Sequence, residues 1–422
     1  MSKKLKPGYK QTEVGVIPEE WDVIRLAQLT SEIGDGIHST PEYVKSSGYH
    51  FINGNNLVDG TILITDSTMS VNEAEWRKLR KDLGGHTILM SINGTIGNLA
   101  FYGGERVVLG KSAAYLNVAP EICKEYVFYS LSTALTAKYF ENELTGTTIR
   151  NLSLASLRNT PIPIPREAEE QRAIAAALGD VDALVGAMEK LIAKKRDLKQ
   201  AAMQQLLPGQ QRLPGFSEEW EVKRLWEIGT FTKGKGIKKD EVVADGLPCI
   251  RYGEIYTHYN DYIRGFHSFI PPKVARGSQR LRKGDLLFAG SGETAEEIGK
   301  CVAFLGDEEA YAGGDIVILS PAGQNSMYLG YLMNHSSIVE QKARMGQGDA
   351  VVHISARNLG QLNLRLPRLD EQTAIAAILS DLDAELAALE QRRDKTRALK
   401  QAMMQELLTG KTRLVSPRGS HA

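Results

Sequence analysis

The sequence predicts an α+β protein built as an internal tandem repeat: a globular module of mixed sheet and helix, a long helix, then the same pair again. Two observations carry this reading. Residues 169–207 and 370–408 are one helix written twice; over the ungapped stretch 170–213 against 371–414, about 25 of roughly 44 positions are identical. The repeat also begins well before the helix. Glu19-Glu20-Trp21-Asp22-Val23 with Arg25-Leu26 returns as Glu218-Glu219-Trp220-Glu221-Val222 with Arg224-Leu225. Five segments follow: a module over 1–165, a helix over 166–207, a module over 208–367, a helix over 368–411 and a tail over 412–422. The closing residues 416–422 read as a tag carried over from expression.

In the first module, Gly34-Asp35-Gly36-Ile37-His38-Ser39-Thr40-Pro41 is a loop by its glycines and small polar residues. A short apolar run ends at Ile52 and meets the turn Asn53-Gly54-Asn55-Asn56. Residues 87–90 read as a buried strand, 91–97 as the loop after it, and 115–118 as a further strand before Pro120. One helix is expected over 125–143, burying Tyr126, Tyr129, Leu131, Leu135 and Tyr139. The loop 146–153 then leads to the strand 161–165. The second module repeats this order at 248–255, 285–289, 290–299, 315–319, 348–355 and 364–367. The framework recurs while the loop residues differ, as expected of two binding modules with different ligands.

Each long helix opens on acidic residues (Glu167, Glu169 and Glu170; Asp370 and Glu371), which suit the positive end of a helix dipole. Pro208-Gly209 and Thr409-Gly410 close the two copies. At 1.5 Å per residue each helix is roughly 60 Å long. Heptad rows are legible: Ile174, Val181, Met188 and Ala202 beside Ala177, Leu184, Leu191 and Leu198. In the second copy Ile375, Leu382, Leu389 and Met403 stand beside Ile378 and Leu399, a coiled-coil seam interrupted by Lys195, Glu385 and Arg392.

The chain is 422 residues long, with 51 Lys+Arg against 51 Asp+Glu, so no net charge announces a polyanionic partner. Cys123, Cys249 and Cys301 are scattered without a CxxC pair, which fits a reducing compartment rather than a disulfide or zinc framework. The first residues carry no apolar run, so neither a secretory leader nor a membrane anchor is expected. Residues 290–295 fit GxGxxA with Asp315 about 20 residues on, as in a dinucleotide site. The first module lacks that pattern at 91–97, however, and no crossover helix follows. HExxH, GxSxG and a Walker A loop are absent from the sequence, and no metal or cofactor set is apparent.

Binding chemistry is better represented. His38, Ser39 and Thr40 lie in one loop of the first module, and Asn53, Asn55 and Asn56 in another. The second module offers Lys235, Lys238, Lys239, Arg251, Tyr252, Glu254, Tyr256 and His258. Asn and Arg suit bidentate contacts to base edges, whereas Lys, Ser and Thr suit phosphates.

The duplicated EQ-x-AIAAxL helix starts, the LKQAxMQxLL endings, the Trp21 and Trp220 entries and the PIPIP and LRLP junctions resemble the specificity subunit of type I restriction-modification systems. IRYGEIYTHY at 250–259, GQGDAVVHIS at 346–355 and DGIHSTP add to the likeness, which covers nearly the whole chain. The resemblance implies two target-recognition domains alternating with two helices that pair as an antiparallel coiled coil, in a tandem repeat of pseudo-twofold symmetry. It further implies that each domain reads one half of a bipartite double-stranded DNA target. The helical pair would set the spacer and dock two methyltransferase subunits, which carry the chemistry. Restriction and translocase subunits would join through that complex. On this view the chain is cytoplasmic and non-catalytic, binds no cofactor and touches no membrane. Two rival readings stay open from the sequence: a coiled-coil adaptor whose modules bind proteins, and a nucleotide-binding enzyme using residues 290–295.

Overall fold

A computed structural model describes residues 5–146, 150–348 and 351–414. Parts of the two loops expected at 146–153 and 348–355, and the tail from residue 415, lie outside the described residues. The chain divides into two compact units, Met1–Met188 with Arg392–Ala422, and Glu189–Gln391. The division falls inside both long helices, which run over Ala168–Leu206 and Leu369–Leu407.

In the first unit the fully buried strand Thr87–Ser91 is the centre of a four-stranded antiparallel sheet. Leu99–Phe101 flanks it on one side; Ala113–Val118 and then Thr30–Asp35 lie on the other. A second sheet orders Val107–Leu109, His50–Ile52, Ser70–Val71 and Tyr43–Val44, its first pair parallel. Among the described residues Pro161–Pro165 pairs only with Trp21–Arg25, so its three prolines remove no donor that a further strand there would need.

The second unit repeats the plan. Gly229–Lys233, Ile316–Pro321, Leu286–Ala289 and Cys301–Ala303 form the antiparallel sheet. Ser268–Ile270, Leu247–Ile250, Tyr311–Ala312 and Gln279–Arg280 form the other, again with one parallel pair. Glu221–Arg224 pairs with Asn363–Leu366.

The single helix expected over 125–143 is two helices, Lys124–Leu131 and Ala134–Glu143. Thr133 breaks it by accepting the Thr136 N–H on its hydroxyl, the side-chain competition that makes Thr a helix starter. His335 does the same between Ser326–Met333 and Ser336–Met345, its Nδ1 accepting from the Ser337 N–H.

The EQ-x-AIAAxL motif is a packing instruction. In the first unit Ile174, Ala175 and Leu178 sink into the module's core together with Leu407 and Leu408 from the end of the second helix. Gln171 donates to the Pro165 carbonyl at 2.9 Å and accepts from the Cys123 N–H at 3.2 Å. Glu170, only 2 % exposed, takes the Trp21 indole N–H at 3.2 Å and both arms of the Arg413 guanidinium. In the second unit Ile375, Ala376 and Leu379 meet Leu206 and Leu207. Gln372 bridges the Pro367 carbonyl and the Asn325 N–H. Glu371 takes Trp220 at 3.1 Å and Arg212 in a bidentate pair at 2.7 Å. The acidic first turn therefore holds a buried ion-pair anchor as well as a dipole partner.

Within each unit the two helix segments pair antiparallel. Asp182 meets Lys400 at 2.6 Å in the first. In the second, Lys195 meets Glu385 at 2.7 Å, Arg196 meets Glu390, and Lys199 meets Asp383 at 2.8 Å. Two of the expected seam interruptions, Lys195 and Glu385, are thus each other's partners. The expected second seam row is displaced by one residue. Leu178, Val185 and Ile192 are buried, whereas Leu184, Leu191 and Leu198 stand 45, 41 and 52 % exposed, as do Ile378 and Leu399 at 37 and 56 %. One residue is about 100° of helix rotation. The true row continues from Ile192 to Lys199, and in the second helix from Leu379 and Leu386 to Arg393 and Lys400. Its cations broke the apolar pattern, and the more regular leucine row beside it looked like the seam.

Neighbouring positions should consequently respond in opposite ways. Ile192→Ala is expected to cost about 2–5 kcal/mol and Leu191→Ala under about 0.5 kcal/mol, measured as denaturant midpoints of the two variants.

Lys342 supplies a second test. It is 1 % exposed, donates to the Gly299 carbonyl at 2.7 Å, and occupies the place that Phe140 fills in the first unit. Burial pulls its pKa down from 10.5 to about 8. Between those values the unfolded chain binds the extra proton, so this site's contribution to stability rises with pH across the window and is lost as pH falls through about 8. Lys342→Met should raise the unfolding midpoint at neutral pH by the equivalent of about 1–4 kcal/mol. The gap over the parent should close as pH approaches 10.5, which thermal melts of both proteins across that range would show.

Candidate nucleic-acid interface

At one end of the sheets each module gathers loops from distant parts of its sequence. In the first module the Gly36 N–H donates to the Ala113 carbonyl, Ile37 to Leu109, Gly110 to Ile52, and Leu152 to Ile92. In the second module Gly234 donates to Ile316, Lys235 to Ala312, Gly313 to Ile250, and Ile354 to Gly290. The four bonds correspond one to one, so a common backbone frame carries loop residues that differ between modules.

Close approach dictates glycine in both frames. A Cβ on Gly36 would lie 2.1 Å from the Leu109 carbonyl oxygen, and one on Gly234 would lie 1.9 Å from that of Gly313. The bulky neighbours His38 and Lys235 are displayed outward from these contacts, exposed on loops the glycines hold down.

The fourteen residues singled out in the sequence separate into two groups. His38, Ser39, Thr40 and Asn55 are exposed in the first module, His38 with its Nε2 2.8 Å from the Asp35 carboxylate. Lys235, Lys238, Lys239 and Tyr252 are exposed in the second, and Arg251 is half-buried beside them in sequence order.

Four of the other five have work inside the module, while His258 is exposed. Asn53 accepts from the Ser112 hydroxyl at 2.9 Å, while Asn56 accepts from the Asn53 N–H and donates to the Leu63 carbonyl. Glu254 is 4 % exposed and bound to Arg251 and Ser268. Tyr256 donates to the Ser291 carbonyl at 3.1 Å, its hydroxyl kept protonated chiefly by burial. His258 lies beyond the helix Tyr252–Thr257, stacked on His267 at 4.2 Å. It lines a cavity of about 690 Å³ beside Lys199, Asp261 and Asp383. Polar residue type alone did not separate outward-facing side chains from those closing turns.

The sequence reading missed Lys111, exposed on the loop that Gly110 anchors, and Ser112, which also accepts the Gly54 N–H. It missed His353 too, exposed with its Nδ1 2.9 Å from the Ser291 hydroxyl. The signal available for Lys111 was a Gly-Lys-Ser turn directly before a buried strand. Residues 290–295, fitting a dinucleotide fingerprint, form the short strand Ser291–Gly292 paired with Val352–His353, followed by turns. The phosphate-binding helix start that the fingerprint requires is not formed there. Burial pushes the Cys249 thiol up to about 12, far from a nucleophile's range.

Two equivalent frames with divergent exposed loops, each closed onto paired helices, define a two-module recognition protein. The chain belongs to the family of the type I restriction modification DNA specificity domain, which matches residues 18–194 and again 217–397. The MjaVIII specificity subunit of Methanocaldococcus jannaschii is 24% identical, with 94% of each chain covered. The EcoKI specificity subunit of Escherichia coli K12 is 23% identical over 46% of this chain and 43% of its own. The crystal structure of the type I S subunit from M. genitalium shares the fold at a TM-score of 0.60. It is 17% identical and covers 96% of this chain and 99% of its own.

The close contacts at these glycines can be tested without DNA. Gly234→Ala should destabilise the protein by about 1–3 kcal/mol, because the carbonyl it strikes belongs to backbone that cannot turn aside. Gly253→Ala, with open space around its Cβ inside a helix, should be neutral or slightly stabilising by thermal melting.

Proposed function

We propose that this chain is the sequence-reading subunit of a type I restriction-modification complex, with module 1–165 reading one half of a split DNA target and module 208–367 the other. The observation that carries this is the shared backbone frame with unlike loops. A protein reading one symmetric site twice would keep its loop residues alike, whereas two different half-sites require them to differ. The readers are the exposed His38, Ser39, Thr40 and Asn55 in one module, and in the other the exposed Lys235, Lys238, Lys239 and Tyr252 with the half-buried Arg251.

The helices 166–207 and 368–411 serve as spacer and as docking surface for methyltransferase subunits, two in number, through which restriction subunits join. The exposed row Leu184, Leu191 and Leu198 supports this, since apolar side chains at every seventh position of one helix suit packing by a partner's helix. The chain itself carries no catalysis and no cofactor, and works in the cytoplasm. Its balance of 51 cationic against 51 acidic residues is explained if the methyltransferase subunits supply much of the charge that neutralises the phosphates. No described helix is long and apolar enough to cross a membrane.

The experiment is module replacement in the assembled complex, read by sequencing methylated sites. Exchanging 208–367 for another recognition domain should change one half of the methylated site and leave the other half intact. A change in both halves, or in neither, would remove the modular reading. In DNA-binding titrations of the same complex at several salt concentrations, Lys238→Ala and Lys239→Ala should weaken binding on every sequence alike and each lower the salt slope by about 1, as phosphate contacts do.

A further inference from the structure

The first residue after the strand His50–Ile52 of one module, and after its equivalent Leu247–Ile250 in the other, is Asn53 and Arg251 respectively. In both, the residue three positions on caps its backbone, Asn56 accepting the Asn53 N–H at 2.9 Å and Glu254 the Arg251 N–H at 3.0 Å. The frame thus presents one side chain at the same place in each module and lets its identity vary. Asn53 is tied inward by Ser112. Arg251 is not drawn in: its side chain remains 33% exposed, with Nε ion-paired to Glu254 at 3.4 Å.

Glu254 is the unusual member. It is 4 % exposed, and its carboxylate is gripped by Arg251 and by the Ser268 hydroxyl. A buried carboxylate is costly, and here it also cancels the charge of the arginine beside it. That makes the pair a poor attractor for phosphate, which responds to net charge. It makes a good template for a base edge, because holding the guanidinium by Nε fixes its plane and leaves the two Nη groups to be offered as a fork. A planar fork of donors matches the O6 and N7 acceptors of guanine, and lysine cannot reproduce it.

We infer that Arg251 reads a guanine in the half-site addressed by the second module, with Glu254 as its positioning residue. This rests on the reading of that module as a DNA reader. The test uses the assembled methyltransferase complex, with methylated sites sequenced for Arg251→Ala, Arg251→Lys and Glu254→Gln. Both arginine variants should lose preference at one G·C pair of one half-site, by about tenfold to hundredfold, with the other half-site unchanged. Glu254→Gln retains a carbonyl to cap the Arg251 N–H and should relax the same position partially. The intact half-site serves as the internal control for folding and assembly, and thermal melts accompany it.

Uniform weakening on all sites by Arg251→Ala, with Arg251→Lys restoring it, would place the side chain on a phosphate and overturn the proposal. Loss of activity in Glu254→Gln without any shift in base preference would make Glu254 merely structural and overturn its part. If replacing the whole module changes neither half-site, the DNA-reading premise fails instead, and that outcome is distinct from both.

Discussion

A buried carboxylate at the start of each long helix is the constraint on which the rest of the architecture depends. Glu170 and Glu371 are almost completely withdrawn from water. A lone carboxylate there would be untenable, so each recruits an indole N–H from the start of the module's entry strand or the residue before it, and a bidentate arginine. Those partners come from three places in the sequence: Trp21 or Trp220 opens the module, the glutamate opens its helix, and Arg413 or Arg212 follows the end of the other repeat's helix. One charge therefore fixes where the module begins, where its helix departs and which helix end returns to it.

A second polar fastening lies further along each helix. Tyr129 donates to Asp182 at 2.8 Å, and Asp182 pairs with Lys400. Tyr331 donates to Asp383 at 2.6 Å, and Asp383 pairs with Lys199. Burial, reinforced by the neighbouring aspartate, keeps both phenols protonated and hence committed as donors. A purely apolar seam would resist sliding poorly, since one leucine replaces another a turn away. Matched charges at fixed heights define a single register. Lys199 and Lys400 occupy seam positions, so the helices give up some apolar burial for that definition.

This explains what the sequence disclosed and what it hid. The repeat, the two long helices, the buried strands at 87–91 and 286–289 and the module order were legible because identity between copies and apolar runs are local signals. The seam was misplaced by one residue because cations interrupt the true row, and Lys199 and Lys400 are acceptable there only with acids brought from distant sequence. The helix over 125–143 was read as continuous because Thr133 is an ordinary helix residue until its hydroxyl turns back on Thr136. The candidate site was half legible. Loops were recognisable from glycine and small polar residues, but that Asn55 faces outward while Asn53 and Asn56 turn inward depends on Ser112 and Leu63, which no spacing rule connects to them.

The interleaving of helix ends also bears on synthesis. Residues 189–391 make up the second unit without interruption, so everything it needs has left the ribosome once that stretch is out. The first unit, although its module is made first, draws in residues from 392 onward, including Leu407, Leu408 and Arg413. Its core stays open until Leu407 and Leu408 emerge, and Glu170 stays without its arginine until Arg413 follows them. The order of translation and the order of closure are therefore inverted, and the earliest-made module is the one longest exposed to misassociation.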